Sequence, residues 1–304
     1  MMHFLNRYKA YYLIPIFYLA LSKLAHTLLL TIVTSVVLMT GQSGQELSNS
    51  VNEISSQYVL TSYALAALLT AITVWLGDKA LYSHSYFWAE ERKKPWQLER
   101  SCRQEFYRGL SSGALAAMVV CIILLSTGQI SYLGIYITST FGSPVFPIFV
   151  TNFLSIILLL ICDEFIFRHK LLQMFFRVWP EPVAIFASTL LYLLLKWVQF
   201  PLQTMDLVNL SLLGLILGFF YAKNKKSHRG LGFVLSLICL LHPMAGLPLW
   251  SQTSPSFFLL KHSAKSSEWM TGGPAGPMAS IAIFSMFLLF SVASVKRWQQ
   301  SGNV

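Results

Sequence analysis

Two adjacent acids, Asp163 and Glu164, follow the run IFVTNFLSIILLLI (148–161), in which only Thr151, Asn152 and Ser155 are polar. Further on, Lys196 sits within LLYLLLKWVQF and His242 within LICLLHPMAG. A carboxylate, an ammonium and an imidazole can pair charges, relay a proton or act as acid and base. Each is costly enough in hydrocarbon that its presence there is a functional hypothesis by default. His242 with Asp163 and Glu164 offers too few nitrogen or sulfur ligands for a zinc site. No metal and no cofactor is expected.

The depths of these groups agree. Asp163 precedes Arg177 by 14 residues, Lys196 follows Glu181 by 15, and His242 follows Arg229 by 13. At about 1.5 Å per helical residue, all three lie about 20–22 Å from the nearest basic or acidic boundary. If the helices are continuous, one site can contain them. Each residue also has a purely local reading. Glu164 and Arg168 stand i,i+4 and can pair along one helix. Lys196 is five residues before Pro201 and can snorkel outward. His242 precedes Pro243, whose ring frees a carbonyl in the preceding turn. Asp163 is the hardest to explain locally: it needs a cation, a donor or a proton.

The elements that must position these groups are membrane helices. The chain has 304 residues, 55% hydrophobic and 11% charged, against roughly 25% charged in a soluble domain. Eight apolar stretches are long enough to span a bilayer, at roughly 12–40, 58–77, 110–128, 146–173, 183–200, 206–222, 231–249 and 275–295. The fold class is therefore all-α, a polytopic membrane helix bundle. The first stretch is overlong and carries Lys23, read as snorkelling. The start of the chain has a basic region before the first apolar run but no small-x-small cleavage site, so a retained span is expected. Gly214 and Gly218 form a small-x-x-x-small pair suited to internal helix packing.

The net charge of +10 does not point to nucleic acid, because the basic residues alternate between loops. Segment 78–109 holds Lys79, Arg92, Lys93, Lys94, Arg100, Arg103 and Arg108, whereas 41–57 and 129–145 hold no Lys or Arg. By the positive-inside rule both termini are cytoplasmic, and the protein is placed in the plasma (inner) membrane. Segment 78–109, with Trp88, Trp96, Phe106 and Tyr107, reads as a cytoplasmic interfacial segment. The lipid bilayer is the expected partner, with a membrane-protein partner or substrate besides. The four cysteines, Cys102, Cys121, Cys162 and Cys239, read as small buried hydrophobes.

DEFIFR, YLLLK and HPMAG stand in the order and spacing of a known motif set. They resemble the CAAX-protease and bacteriocin-processing family (CPBP, also called Abi) of intramembrane proteases, whose pattern is Glu-Glu-x-x-x-Arg, Phe-x-x-x-His and His-x-x-x-Asn or Asp. FRHKLLQMFF, LLGLILGFFYAKNKK, HPMAGLPLW and WMTGGPAGPMAS share the family's flanking texture, and the resemblance covers about residues 108–295. It implies a six-helix membrane core over 108–304, preceded by two helices and the basic loop over 1–107. It also implies Asp163, Glu164 and His242 as catalytic residues, with Arg168, Lys196 and Tyr192 supporting them or pairing with them.

The departures from the pattern bear on chemistry. Asp163 replaces the Glu thought to activate water, Tyr192 the Phe, Lys196 the second-motif His, and Gly246 the Asn or Asp. The shorter acid reaches about 1 Å less far, a misplacement that can cost on the order of 10²-fold. A lost oxyanion donor costs about 10²–10³-fold, and a charged Lys196 cannot accept a proton. An ion pair of Lys196 with Asp163 is expected. Three functions remain open: a non-catalytic scaffold, chaperone or regulator; an intramembrane endopeptidase with a variant Asp/Glu–Lys–His site; and a carrier using the cluster as a proton relay.

Overall fold

A backbone in lipid must satisfy its polar groups within its own segment, so apolar runs of spanning length become helices. The computed structural model describes residues 13–41, 44–82, 100–135, 145–224, 226–253, 255–263 and 266–301. Among them six helical stretches are long and apolar enough to cross a membrane: Ile14–Met39, Ile54–Gly77, Cys102–Ser126, Phe146–Val178, Glu181–Gln199 and Thr204–Lys223. Two shorter apolar helices, His228–Met244 and Ile281–Lys296, correspond to the seventh and eighth expected spans. The chain is an all-α, multi-pass membrane bundle. Its outer faces carry exposed large apolar side chains such as Ile16, Leu28, Ile122, Phe186 and Leu289, which lipid covers where water would not.

In chain order the helices are α1 (Ile14–Met39), α2 (Gly44–Tyr82), α3 (Arg100–Ser126), α4 (Val145–Asp163), α5 (Gln173–Val178), α6 (Glu181–Gln199), α7 (Thr204–Asn224), α8 (His228–Cys239), α9 (Glu268–Thr271) and α10 (Ile281–Ser301). Helices α1 and α2 pack together, α2 lies against α4, and α1 also reaches α6. Helices α3 and α8 cross closely. A Cβ on Gly113 would collide with the Phe233 carbonyl oxygen, and one on Gly232 with the Phe106 carbonyl oxygen, so the two backbones meet through glycine. Gly214 and Gly218 pack inside the bundle as expected: a Cβ on either would meet Thr189 or Ile185 of α6 at 2.5 Å.

Several expectations need correction. The loop read over 41–57 is mostly helix, since α2 begins at Gly44. The loop read over 129–145 and the stretch between the last two expected spans contain strands β1 (Ile130–Ile135) and β2 (Phe258–His262). These pair antiparallel from Ile130 opposite His262 to Ile135 opposite Phe258, with a bulge between Tyr132 and Gly134. The β-branched and aromatic residues here suit strands, but the runs are too short to stand out beside the spans. Of the interfacial segment at 78–109, residues 83–99 lie outside the described residues; Phe106 and Tyr107 belong to α3. Lys23 does not simply snorkel. Its Nζ donates to the Val198 carbonyl at 3.0 Å, satisfying a carbonyl in the last turn of α6.

Two polar contacts join helix ends. Arg229, at the start of α8, approaches Glu105, near the start of α3, at 3.9 Å. Trp298, near the end of α10, donates to Glu181, at the start of α6, at 2.9 Å.

Candidate functional site

Two of the three motif-bearing helices widen where the polar residues occur. After α4 the helix continues as π turns over Glu164–Leu172 before α5. After α8 it does so again over Leu240–Met244. In the second case the cause is local. Pro243 has no N–H and its ring crowds the carbonyl four residues back, so the Ala245 N–H reaches five residues back, to Leu240 O, at 2.9 Å. Glu164–Leu172 contains neither proline nor glycine, and no local cause accounts for its widening. Such turns occur often at functional positions.

Asp163 is the last residue of α4 and is buried. Its Oδ2 meets Lys196 Nζ at 2.6 Å, and its Oδ1 accepts a hydrogen bond from Tyr18 OH at 2.7 Å. Lys196, on α6, is fully buried. Its Nζ also donates to Gln199 Oε1 at 3.3 Å and stands 5.6, 5.5 and 5.0 Å from the ring centres of Tyr192, Phe200 and Trp250. A cation against aromatic faces gains electrostatic energy, more so when desolvated. The expected Asp163–Lys196 ion pair is therefore present, and outward snorkelling of Lys196 is not.

Glu164 begins the π stretch, and its Oε1 is buried without a hydrogen-bond partner. It lies against α8, where a Cβ on Gly230 would come within 2.6 Å of Oε1. Arg168 is close enough for its charge to act on Glu164, and, buried, it also places its guanidinium carbon 4.8 Å from the Tyr192 ring centre. On the π turns here i and i+5, not i and i+4, stand above one another. Tyr192 thus faces both Arg168 and Lys196, and its ring meets Phe167 edge-on at 5.3 Å.

His242 occupies the second wide turn and is buried. Its Nδ1 is 2.7 Å from Leu247 O. A carbonyl only accepts, so Nδ1 carries the proton and Nε2 has the lone pair. Gly246 has φ +80°, and a Cβ there would lie 2.5 Å from Ser256 Oγ and 2.8 Å from Phe258 O. The position where the motif has Asn or Asp is thus closed to any side chain by backbone and by space together.

Tyr18, Ser22 and Gln199 were missed by sequence reasoning. Gln199 Nε2 donates to Ser22 Oγ at 2.9 Å, and Tyr63 OH donates to the Gln199 carbonyl at 2.6 Å. A usable signal existed: Tyr18 and Ser22 are four residues apart in an apolar helix, so two hydroxyls share one face. Among the described residues no three His, Cys, Asp or Glu side chains gather as a metal site would require.

Residues 144–245, a third of the chain, match the family described as type II CAAX prenyl endopeptidase, Rce1-like. No curated protein and no solved structure matches the chain. The matched segment carries Asp163, Glu164, Arg168, Tyr192, Lys196 and His242; it excludes Tyr18 and Ser22 and stops one residue before Gly246. The chain is a multi-pass membrane protein that is similar to this family over 144–245, and the resemblance read from its motifs stands.

Proposed function

We propose that the protein is a non-catalytic relative of the CAAX-type intramembrane proteases, retaining their fold as a membrane scaffold, chaperone or regulator for a membrane-protein partner. The observation that carries this reading is the engagement of both Asp163 oxygens, Oδ2 by Lys196 and Oδ1 by Tyr18. A base that activates water needs an available lone pair aimed at that water. Here the acid at the water-activating position is held as a counter-ion, and the donor position of the third motif is a glycine with no room for a side chain. The distribution of Lys and Arg supports placing both termini in the cytoplasm and the bundle in the plasma membrane.

The test compares peptide termini in membranes of cells carrying the wild type, Asp163→Ala or Glu164→Ala, each normalised to protein level. No peptide product should depend on either acid, while the yield of folded Asp163→Ala falls. A product lost in a well-folded Asp163→Ala protein would overturn the proposal.

One observation favours a second reading. Glu164 Oε1 is buried and without a hydrogen-bond partner, so an endopeptidase here would use Glu164, not Asp163, as its base. Glu164→Gln would then abolish a product that Lys196→Met leaves in place.

A further inference from the structure

Helix α1 lies outside the matched segment, yet it completes the polar cluster. Most of its large apolar side chains are exposed toward lipid, including Ile16, Leu24, Leu28 and Ile32. Five of its residues are buried, Ile14, Tyr18, Ser22, Val33 and Val37, and the two with hydroxyls are the most deeply so: Tyr18 is fully buried and Ser22 is 1% exposed. Both are committed to the core. Tyr18 donates to Asp163, Lys196 joins Asp163 to Gln199, and Gln199 donates to Ser22. Tyr18 and Ser22 are one helical turn apart, so the contacts close into a ring through α1, α4 and α6. Lys23 extends the same seam to the Val198 carbonyl.

Apolar helices in lipid have no hydrophobic drive to associate, because acyl chains are as apolar as leucine. Close packing and interhelical hydrogen bonds select the partner and register. On the α1 face, Tyr18 and Ser22 make the interhelical hydrogen bonds to Asp163 and Gln199. We propose that Asp163, Lys196 and Gln199 form a receiving slot for a membrane helix that carries a tyrosine and a serine four residues apart, with α1 as its resident occupant. The charge pair then serves as a docking lock that fixes the register of α1 and keeps other transmembrane segments from the acids. This rests on the reading of Asp163 and Lys196 as a pair removed from catalysis.

The test uses the full chain in lipid nanodiscs with nitroxide labels on outward-facing positions. One pair, Leu24 on α1 and Leu194 on α6, reads docking; a second, Met118 on α3 and Leu289 on α10, reads the rest of the bundle. All four side chains are exposed, so labels do not disturb packing. Pulsed dipolar spectroscopy should give one narrow distance for each pair in the otherwise unmodified chain. Tyr18→Phe/Ser22→Ala, which removes two hydroxyls and no charge, should abolish the narrow Leu24–Leu194 distance and leave Met118–Leu289 unchanged. Lys196→Met should act in the same direction. If the Leu24–Leu194 distance stays narrow in the hydroxyl variant, or if both distances are lost together, the slot does not exist as described. Peptide-product analysis is a separate readout, so turnover would overturn the non-catalytic reading without touching the docking distances.

Discussion

The Lys196 ammonium meets Asp163 Oδ2 at 2.6 Å on one side and the Trp250 ring, 5.0 Å from its centre, on another. Trp250 holds this place from an unfavourable backbone. It has φ 50° and is followed by Ser251 at φ 63°. The pair forms the centre of a tight turn closed by Leu249 N to Gln252 O and Gln252 N to Leu249 O, at 2.9 and 2.8 Å. Turns with two left-handed residues favour Asn-Gly, not Trp-Ser. Conformations of this kind cost of order 1–3 kcal/mol each and persist where the surroundings over-determine them. Here the surroundings are a buried cation and the Phe200 ring, 4.7 Å away between centres.

That turn can be tested by two substitutions with opposite expectations. Ser251→Gly relieves a left-handed residue and should leave stability unchanged or raise it by up to about 1 kcal/mol. Trp250→Gly relieves the same strain but removes a fully buried indole and a face of the Lys196 enclosure. It should cost about 3–5 kcal/mol. Thermal denaturation in detergent reads both. A Trp250→Gly protein as stable as Ser251→Gly would mean that the ring does little for the cation.

The ion pair predicts a pronounced non-additivity. Lys196→Met alone strands a buried carboxylate and should cost about 3–5 kcal/mol. Asp163→Asn/Lys196→Met removes both charges and should recover most of that loss, since apolar or neutral replacement of a buried pair is often near neutral. Melting temperatures of the wild type, two singles and double give the coupling directly. Additive losses would show that the two charges do not stabilise each other.

Restoring the motif residue at 246 should fail structurally. Gly246→Asn tolerates a positive φ better than most residues, but its Cβ would still press on Ser256 Oγ and the Phe258 carbonyl. Both Gly246→Asn and Gly246→Ala should lower stability, by about 1–3 kcal/mol, with Ala no better than Asn. A melting temperature equal to wild type for Gly246→Asn would show that the segment opens readily.

The ribbon offers a pH probe. His262, on β2 opposite Ile130, has both ring nitrogens without a hydrogen-bond partner. Burial pushes its imidazole below the ordinary range. The folded ribbon therefore prefers neutral His262, and the opened ribbon binds the proton more readily. Its stabilising contribution is present above the ordinary histidine value of about 6.5 and declines as pH falls below it. Hydrogen exchange in β1 and β2, corrected for intrinsic rates, should show less protection at acid pH, and His262→Gln should remove that dependence. Unchanged protection in the wild type would refute it.

The local sequence was sufficient for the spans, because in lipid both the length and the polarity of a segment are set by its own residues. The same local logic gave Asp163 and Lys196 equal depth, and the structure brings them into contact. The β1–β2 ribbon was not legible, since its pairing joins residues 130 and 262 and neither run carries a signal alone. Arg168 meets the Tyr192 ring as well as the charge of Glu164, and a spacing rule along one helix foresees only the second. Tyr18 is the clearest case. Its hydroxyl meets a carboxylate 145 residues away, a contact decided by how α1 packs on α4 and α6. Sequence determined which groups had to be hidden from lipid; the tertiary structure decided who keeps them company, because Asp163, Lys196 and Gln199 find partners on other helices.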